Sequence, residues 1–182
     1  MTESNVLLIV LDAVRKDHIP AYGYEKGSTP TLDAFSEVAT RYEAAVAPAP
    51  WTPPSHASMF TGRYPSHHGV VGRDPQYDPS QPHVAEALSA AGYHTLGFSN
   101  SYHTSKARGF DRGFDYYHDI RDLPHVRGRW FEPSLSFARL VVNYYRNDHD
   151  IASFQLDKFE RALDPGREPF FEVINLNSAH SP

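Results

Sequence analysis

The stretch Asn5-Val6-Leu7-Leu8-Ile9-Val10-Leu11-Asp12 decides the fold. Its apolar run is strand-sized, far short of the roughly 20 residues that span a bilayer, and it lacks polar alternation. That pattern predicts a strand buried on both faces, at the centre of a parallel sheet. The run ends on a carboxylate. Open α/β sheets bind ligands beyond the carboxyl ends of their strands, so Asp12 is expected at the working edge. A buried carboxylate is costly unless paired or bound to a metal. An Asp that caps the next turn suits the same position, and Asp12 alone leaves the two readings level.

Working outward, strand and helix patterns alternate. Thr29–Val38 reads as a helix capped by Thr29 or Thr31, with Leu32, Phe35 and Val38 on one face. Arg41–Val46 reads as a short strand. The proline-rich loop Ala47–Pro54 leads into a helix from about Pro54 to Gly62. Asp74–Pro82 is a polar loop, His83–Ala91 a helix closed by Gly92, and His94–Phe98 a second strand. Ser101–Trp130 is irregular. Leu135–Tyr145 and Ile151–Leu163 are helical, and Pro169–Leu176 is a third buried strand. The alternation predicts an α/β fold, a mostly parallel sheet with helices on both faces. The sequence stops at His180-Ser181-Pro182, just past a buried strand, where a parallel sheet rarely finishes; this reads as a truncation or fragment.

Composition narrows the function. The 182 residues hold 17 Lys and Arg against 22 Asp and Glu, a formal charge of −5. Nothing in that balance suits nucleic acid or anionic membranes. Cysteine is absent, which removes disulfides, thiolate metal sites and a Cys nucleophile. No membrane span is visible. Met1-Thr2-Glu3-Ser4 has no basic n-region, so a cytoplasmic location is expected.

Two further segments carry candidate chemistry. In Trp51-Thr52-Pro53-Pro54-Ser55-His56 the prolines hold Thr52 at a helix N-terminus, where free N–H groups and the dipole favour an anion. A hydroxyl there is a nucleophile toward phosphorus or sulfur once its pKa is lowered. Its plain alternative is an N-cap. His180 follows a buried strand, where it can bind an anionic ester or protonate a leaving group, or else fray with the terminus. Asp148-His149-Asp150 and Asp17-His18 read as exposed caps and His67-His68-Gly69 as a turn. Lys106 and Arg108 can hold an anion or be solvated.

These signals gain weight from their order. Leu7–His18 followed by Tyr22-Gly23-Tyr24 resembles the opening of the sulfatase family, within the alkaline phosphatase superfamily. Thr52–Gly62 with Tyr64-Pro65 and His68-Gly69 is similar to that family's nucleophile segment. Gly92-Tyr93-His94-Thr95 and Gly109–Asp115 resemble its middle, and Pro169-Phe170-Phe171 through His180-Ser181-Pro182 the strand ending in its His-x-Pro signature. The match runs in order along the chain, so residues 1–182 are expected to be the N-terminal portion of one catalytic domain.

The resemblance implies Asp12 as a metal ligand, Thr52 as nucleophile and metal ligand, and His180 as the histidine that contacts the ester. It puts His56, Asn100 and His103 at or near substrate-binding positions. The implied cofactor is a divalent metal ion, Ca, Mg, Mn or Zn. Sulfatases carry Cys or Ser at the nucleophile, oxidised to formylglycine, followed by x-Pro-x-Arg. Here Thr52 would give a ketone, so no formylglycine is expected, and His56 replaces the Arg. Ala13 stands where a second Asp is common, and the family's Lys falls on or near Asn100, with His103 close. These departures favour a phosphoester over a sulfate ester, with hydrolysis or transfer through Thr52.

The family's late metal ligands, an Asp-His-Gly or Asp-Asn motif, are missing before Pro182. Two alternatives therefore stand beside the phosphoesterase: a sulfuric ester hydrolase proper, and a non-catalytic remnant. The expected substrate is a small-molecule, glycan or lipid-headgroup ester, and an uncovered sheet edge makes self-association plausible.

Overall fold

The computed structural model describes residues 3–72, 76–119, 122, 156, 159, 161–162, 166–177 and 179. The predicted Leu135–Tyr145 helix, most of the Ile151–Leu163 helix, Asp148-His149-Asp150 and His180 lie outside them. The chain divides into two compact units: Met1–Asp12 with Pro48–Pro182, and Ala13–Ala47.

The larger unit is built on four strands, β1 (Val6–Leu11), β2 (His94–Ser99), β3 (Tyr116–His118) and β4 (Phe170–Leu176), in the order β1-β4-β2-β3. All pairings are parallel. Val10 and Ser99 flank Asn175 in register. The α/β expectation holds, but the centre does not belong to β1. That place goes to β4, whose Phe171–Asn175 are all buried. β1 pairs with β4 alone among the described strands, and Leu7 and Ile9 are 48% and 53% exposed. An unbroken apolar run records that a strand needs cover; it does not record which neighbours supply it.

Alternate side chains of β4 feed two cores. Phe171 and Val173 join Ala57, Phe60, Val70, Tyr77, Ala85, Phe110 and Tyr117 on one face. Ile174 joins Leu96, Phe98 and Phe159 on the other. The helices α2 (Thr52–Thr61) and α4 (Val84–Ala90) supply Ala57, Phe60 and Ala85 to the first. Gly97 permits the close approach of β3: a Cβ there would lie 2.3 Å from the Tyr117 ring.

Two buried histidines on this face are structural. His83 caps α4, its Nδ1 accepting from the Ala85 N–H at 3.1 Å, and its ring sits among Phe60, Tyr77 and Phe114. Burial drives its pKa down to about 4. His68 ends the short helix α3 (Pro65–His68), accepting from the Val70 N–H, so its Nε2–H donates to Ser58 Oγ at 3.0 Å. The predicted turn at His67-His68-Gly69 is thus the close of a helical turn, with Gly69 in the left-handed region. His56 belongs to the site described below.

In the smaller unit α1 covers Pro30–Ser36. Its expected apolar face is not buried: Phe35 is 62% exposed. Thr29 makes no side-chain cap bond; Asp33 instead accepts from the Ala21 N–H at 2.9 Å. The strand expected at Arg41–Val46 is absent; those residues form loop and turn, with Arg41 paired to Glu43 at 2.8 Å. Strand propensity without a neighbouring strand does not make a ladder.

Candidate functional site

The carboxyl edge of the sheet carries Asp12, and Thr52 stands beside it. Asp12 continues β1 by one step, its N–H bonding the Leu176 carbonyl at 2.8 Å. Thr52 opens α2. The residue before it, Trp51, is extended, and Pro53 and Pro54 fit the first turn, where a missing N–H breaks no helical bond. The helix therefore starts at Thr52, earlier than expected. The same prolines correct the expected set of free N–H donors. Neither has one, and the Ser55 N–H already points to the Trp51 carbonyl at 3.4 Å. What favours an anion here is the helix dipole with the Thr52 N–H, rather than a cradle of amides.

The Thr52 hydroxyl donates to Asp12 Oδ2 at 3.0 Å. Thr52 is 9% exposed and Asp12 half-buried. One turn along α2, His56 is buried and its Nδ1 lies 3.0 Å from the Thr52 carbonyl oxygen. Burial holds the imidazole pKa below its ordinary value, against the opposing pull of that carbonyl and of the Asp12 charge. His56 thus stands behind Thr52, in the protein interior.

Asn100 is buried just past β2 and accepts from the Asn177 N–H at 2.8 Å, tying the ends of β2 and β4 together. His103 lies on the turn Tyr102–Thr104, its ring edge-on to Trp51 at 6.4 Å. Lys106 is held by Asp122 at 2.6 Å, and the Arg108 guanidinium lies 5.1 Å over the Tyr102 ring. The structure therefore brings Asp12, Thr52 and His56 together.

Sequence reasoning passed over Trp51 and Asn175. Trp51, 38% exposed beside Thr52, was hidden in a proline-rich loop. Asn175 is a polar residue in a buried strand, 2% exposed, with its Oδ1 unpartnered among the described residues. A lone Asn near the carboxyl end of an apolar run was the available signal.

A divalent cation suits part of this donor set. A carboxylate and a hydroxyl are hard oxygen ligands of the kind Ca, Mg and Mn take. Among the described residues no group of three or more His, Cys, Asp or Glu is arranged to hold a metal, and Asp12 and Thr52 would offer such an ion two oxygen donors. Among the same residues no helix is long and apolar enough to cross a membrane.

The chain matches known proteins over most of its length. The sulfatase family model covers residues 4–182. An ulvan-active sulfatase of Formosa agariphila is 30% identical over 138 residues, 68% of this chain and 27% of that protein. The multifunctional alkaline phosphatase superfamily protein PehA of Trinickia caryophylli is 32% identical over 145 residues, 74% and 28% of the two. The crystal structure of a phosphonate monoester hydrolase of Agrobacterium radiobacter superposes with a TM-score of 0.73 at 22% identity. It covers 99% of this chain and 42% of that one. The chain thus spans about a quarter of the length of both curated relatives.

Proposed function

The chain belongs to the sulfatase family, and from that premise we propose that its protein is a metal-dependent hydrolase or transferase of phosphate esters, working through Thr52. The observation that carries the reading is the Thr52 hydroxyl on the Asp12 carboxylate at 3.0 Å. Asp12 takes the hydroxyl proton as Thr52 Oγ1 attacks phosphorus in line. A Thr–O–P bond forms, the ester P–O bond breaks, and the leaving alkoxide takes a proton from His180. Water or an acceptor alcohol then cleaves the Thr–O–P bond. A divalent cation held by Asp12 and Thr52 would lower the hydroxyl pKa and offset the phosphoryl charge.

The methyl group of Thr52 supports phosphorus over sulfur, because a threonine cannot become the aldehyde that sulfatases use. A relative named as a multifunctional alkaline phosphatase superfamily protein shows that related chains are not confined to one ester class. Asn100 and His103 are proposed substrate contacts. An ulvan-active relative favours a glycan ester among the substrates.

Turnover of an aryl phosphate against the matching aryl sulfate tests the preference. Faster phosphate turnover supports it. Faster sulfate turnover makes the protein a sulfuric ester hydrolase proper, which the family membership keeps as the second reading. No turnover of either, with no heat of Mn²⁺ binding, would instead indicate a non-catalytic remnant.

A further inference from the structure

Among the described residues, several buried polar atoms at this edge have no hydrogen-bond partner, and two of them belong to neighbours: Nε2 of His56 and Oδ1 of Asn175. The two residues are 3% and 2% exposed, and the Asn175 carboxamide lies beside the His56 ring. The His56 tautomer follows from its other nitrogen. Nδ1 faces the Thr52 carbonyl oxygen, which can only accept, so Nδ1 carries the proton. Among the described residues no carboxylate bonds this ring, and at 3% exposure an unpaired charge is costly, so the ring is neutral and Nε2 is a bare lone pair. A lone pair beside a carbonyl-type oxygen makes two acceptors and no donor.

The far side of Asn175 holds a hydroxyl that can donate as well as accept. Asn175 Nδ2 reaches Ser99 Oγ at 3.4 Å, a long contact. Ser99 Oγ lies 2.6 Å from Thr104 Oγ1 and accepts from the Ser101 N–H at 3.2 Å. A half-turn of the carboxamide about χ2 satisfies both orphaned atoms. Nδ2 then donates to His56 Nε2, the Ser99 hydroxyl donates to Oδ1, and the Thr104 hydroxyl donates to Ser99. Both orphaned atoms gain a partner.

We propose that Thr104, Ser99, Asn175 and His56 form one directed hydrogen-bond relay that ends on the Thr52 carbonyl. In it, His56 and Asn175 are positioning residues for the Thr52 hydroxyl. The relay starts in the turn after β2, crosses β4 and enters the first turn of α2. It ties the nucleophile's backbone to the two middle strands of the sheet. It rests on the reading of Thr52 as nucleophile, and it gives the histidine that replaces the family's arginine a role no cation could fill. Only a neutral ring donates at one nitrogen while accepting at the other.

The first test is the His56 tautomer in the unaltered protein, read from long-range ¹H–¹⁵N spectra of histidine-labelled chain. The signal is identified by its loss in His56→Asn. Protonation at Nδ1 with a hydrogen-bonded, bare Nε2 is expected; protonation at Nε2 overturns the relay. The second test is kinetic. Asn175→Leu should lower kcat by about 10- to 100-fold, the range for a displaced reacting group, while KM moves less than about twofold. His56→Asn, whose amide nitrogen overlays Nδ1 and keeps the Thr52 bond, should retain more of kcat than His56→Gln, whose amide overlays Nε2. Unchanged kcat in Asn175→Leu, or the reverse order of the two His56 variants, overturns the positioning role. Turnover retained in Thr52→Ala sinks the nucleophile reading and leaves the tautomer result standing, so the two failures are distinct.

Discussion

The hydroxyl of Thr52 lies 3.0 Å from Oδ2 of Asp12, forty residues earlier in the chain. One group continues a strand, its N–H bonded to the Leu176 carbonyl of the neighbouring strand, and the other opens a helix. A hydroxyl and a carboxylate held this way are ready for proton transfer without further ordering, which is the advantage of mounting them on regular elements.

Thr52→Ala should abolish turnover by about 10⁴- to 10⁶-fold, the scale for losing a nucleophile. Thr52→Ser should keep a measurable rate, since it retains the hydroxyl and the Asp12 bond. Urea midpoints of both variants should stay near that of the parent. Equal rates for Ala and Ser would remove Thr52 from the chemistry.

Asp12→Asn keeps the shape but loses the charge. Affinity for Mn²⁺, measured by titration calorimetry, should fall at least about tenfold, because carboxylate charge dominates binding of hard cations. Exhaustive chelation of the parent should remove turnover, with recovery on adding metal back. Affinity unaltered by the substitution would return Asp12 to a capping role.

His83 makes stability depend on pH. Its folded pKa of about 4 lies below the ordinary value of 6.5, chiefly through burial. The unfolded chain therefore binds a proton that the folded chain refuses between those two values. Stability from this group is complete above about pH 6.5 and declines as pH falls toward 4, by up to about 1.4 kcal/mol per pH unit. His83→Asn keeps an acceptor for the Ala85 N–H and cannot titrate. Its urea stability should change less over that window; an identical slope in parent and variant would exclude His83 as the cause.

Gly97→Ala places a methyl 2.3 Å from the Tyr117 ring and 3.3 Å from Phe114. Overpacking of this kind costs about 1–3 kcal/mol, read as a lower urea midpoint at constant m-value. Tyr117 cannot swing clear without breaking its bond to the Thr104 carbonyl at 2.6 Å. A midpoint equal to the parent's would mean that β2 and β3 are not packed this closely.

Much of this was legible along the chain. The apolar runs of β1, β2 and β4 announced a parallel sheet, and Pro53-Pro54 before a helical stretch marked Thr52. The rest depends on pairing between distant segments. β1 looked central because its residues are uniformly apolar, while β4, with Glu172 and Asn175 in its length, took the middle. β3 has three residues, too few for a period to show. Asn175 acquired its meaning from a register that sets it against Ser99 and from a helix that brings His56 beside it. His56 was readable as a departure from a motif, but its burial and its bond to the Thr52 carbonyl were not.

The central claim is that Thr52 takes up the transferred group, and rapid-quench mass spectrometry of the protein during turnover of an aryl phosphate tests it most directly. The account predicts one phosphoryl group on the peptide containing Thr52, appearing before product accumulates and absent from Thr52→Ala. A phosphoryl group on any other residue, or steady turnover with Thr52 never modified, would contradict it.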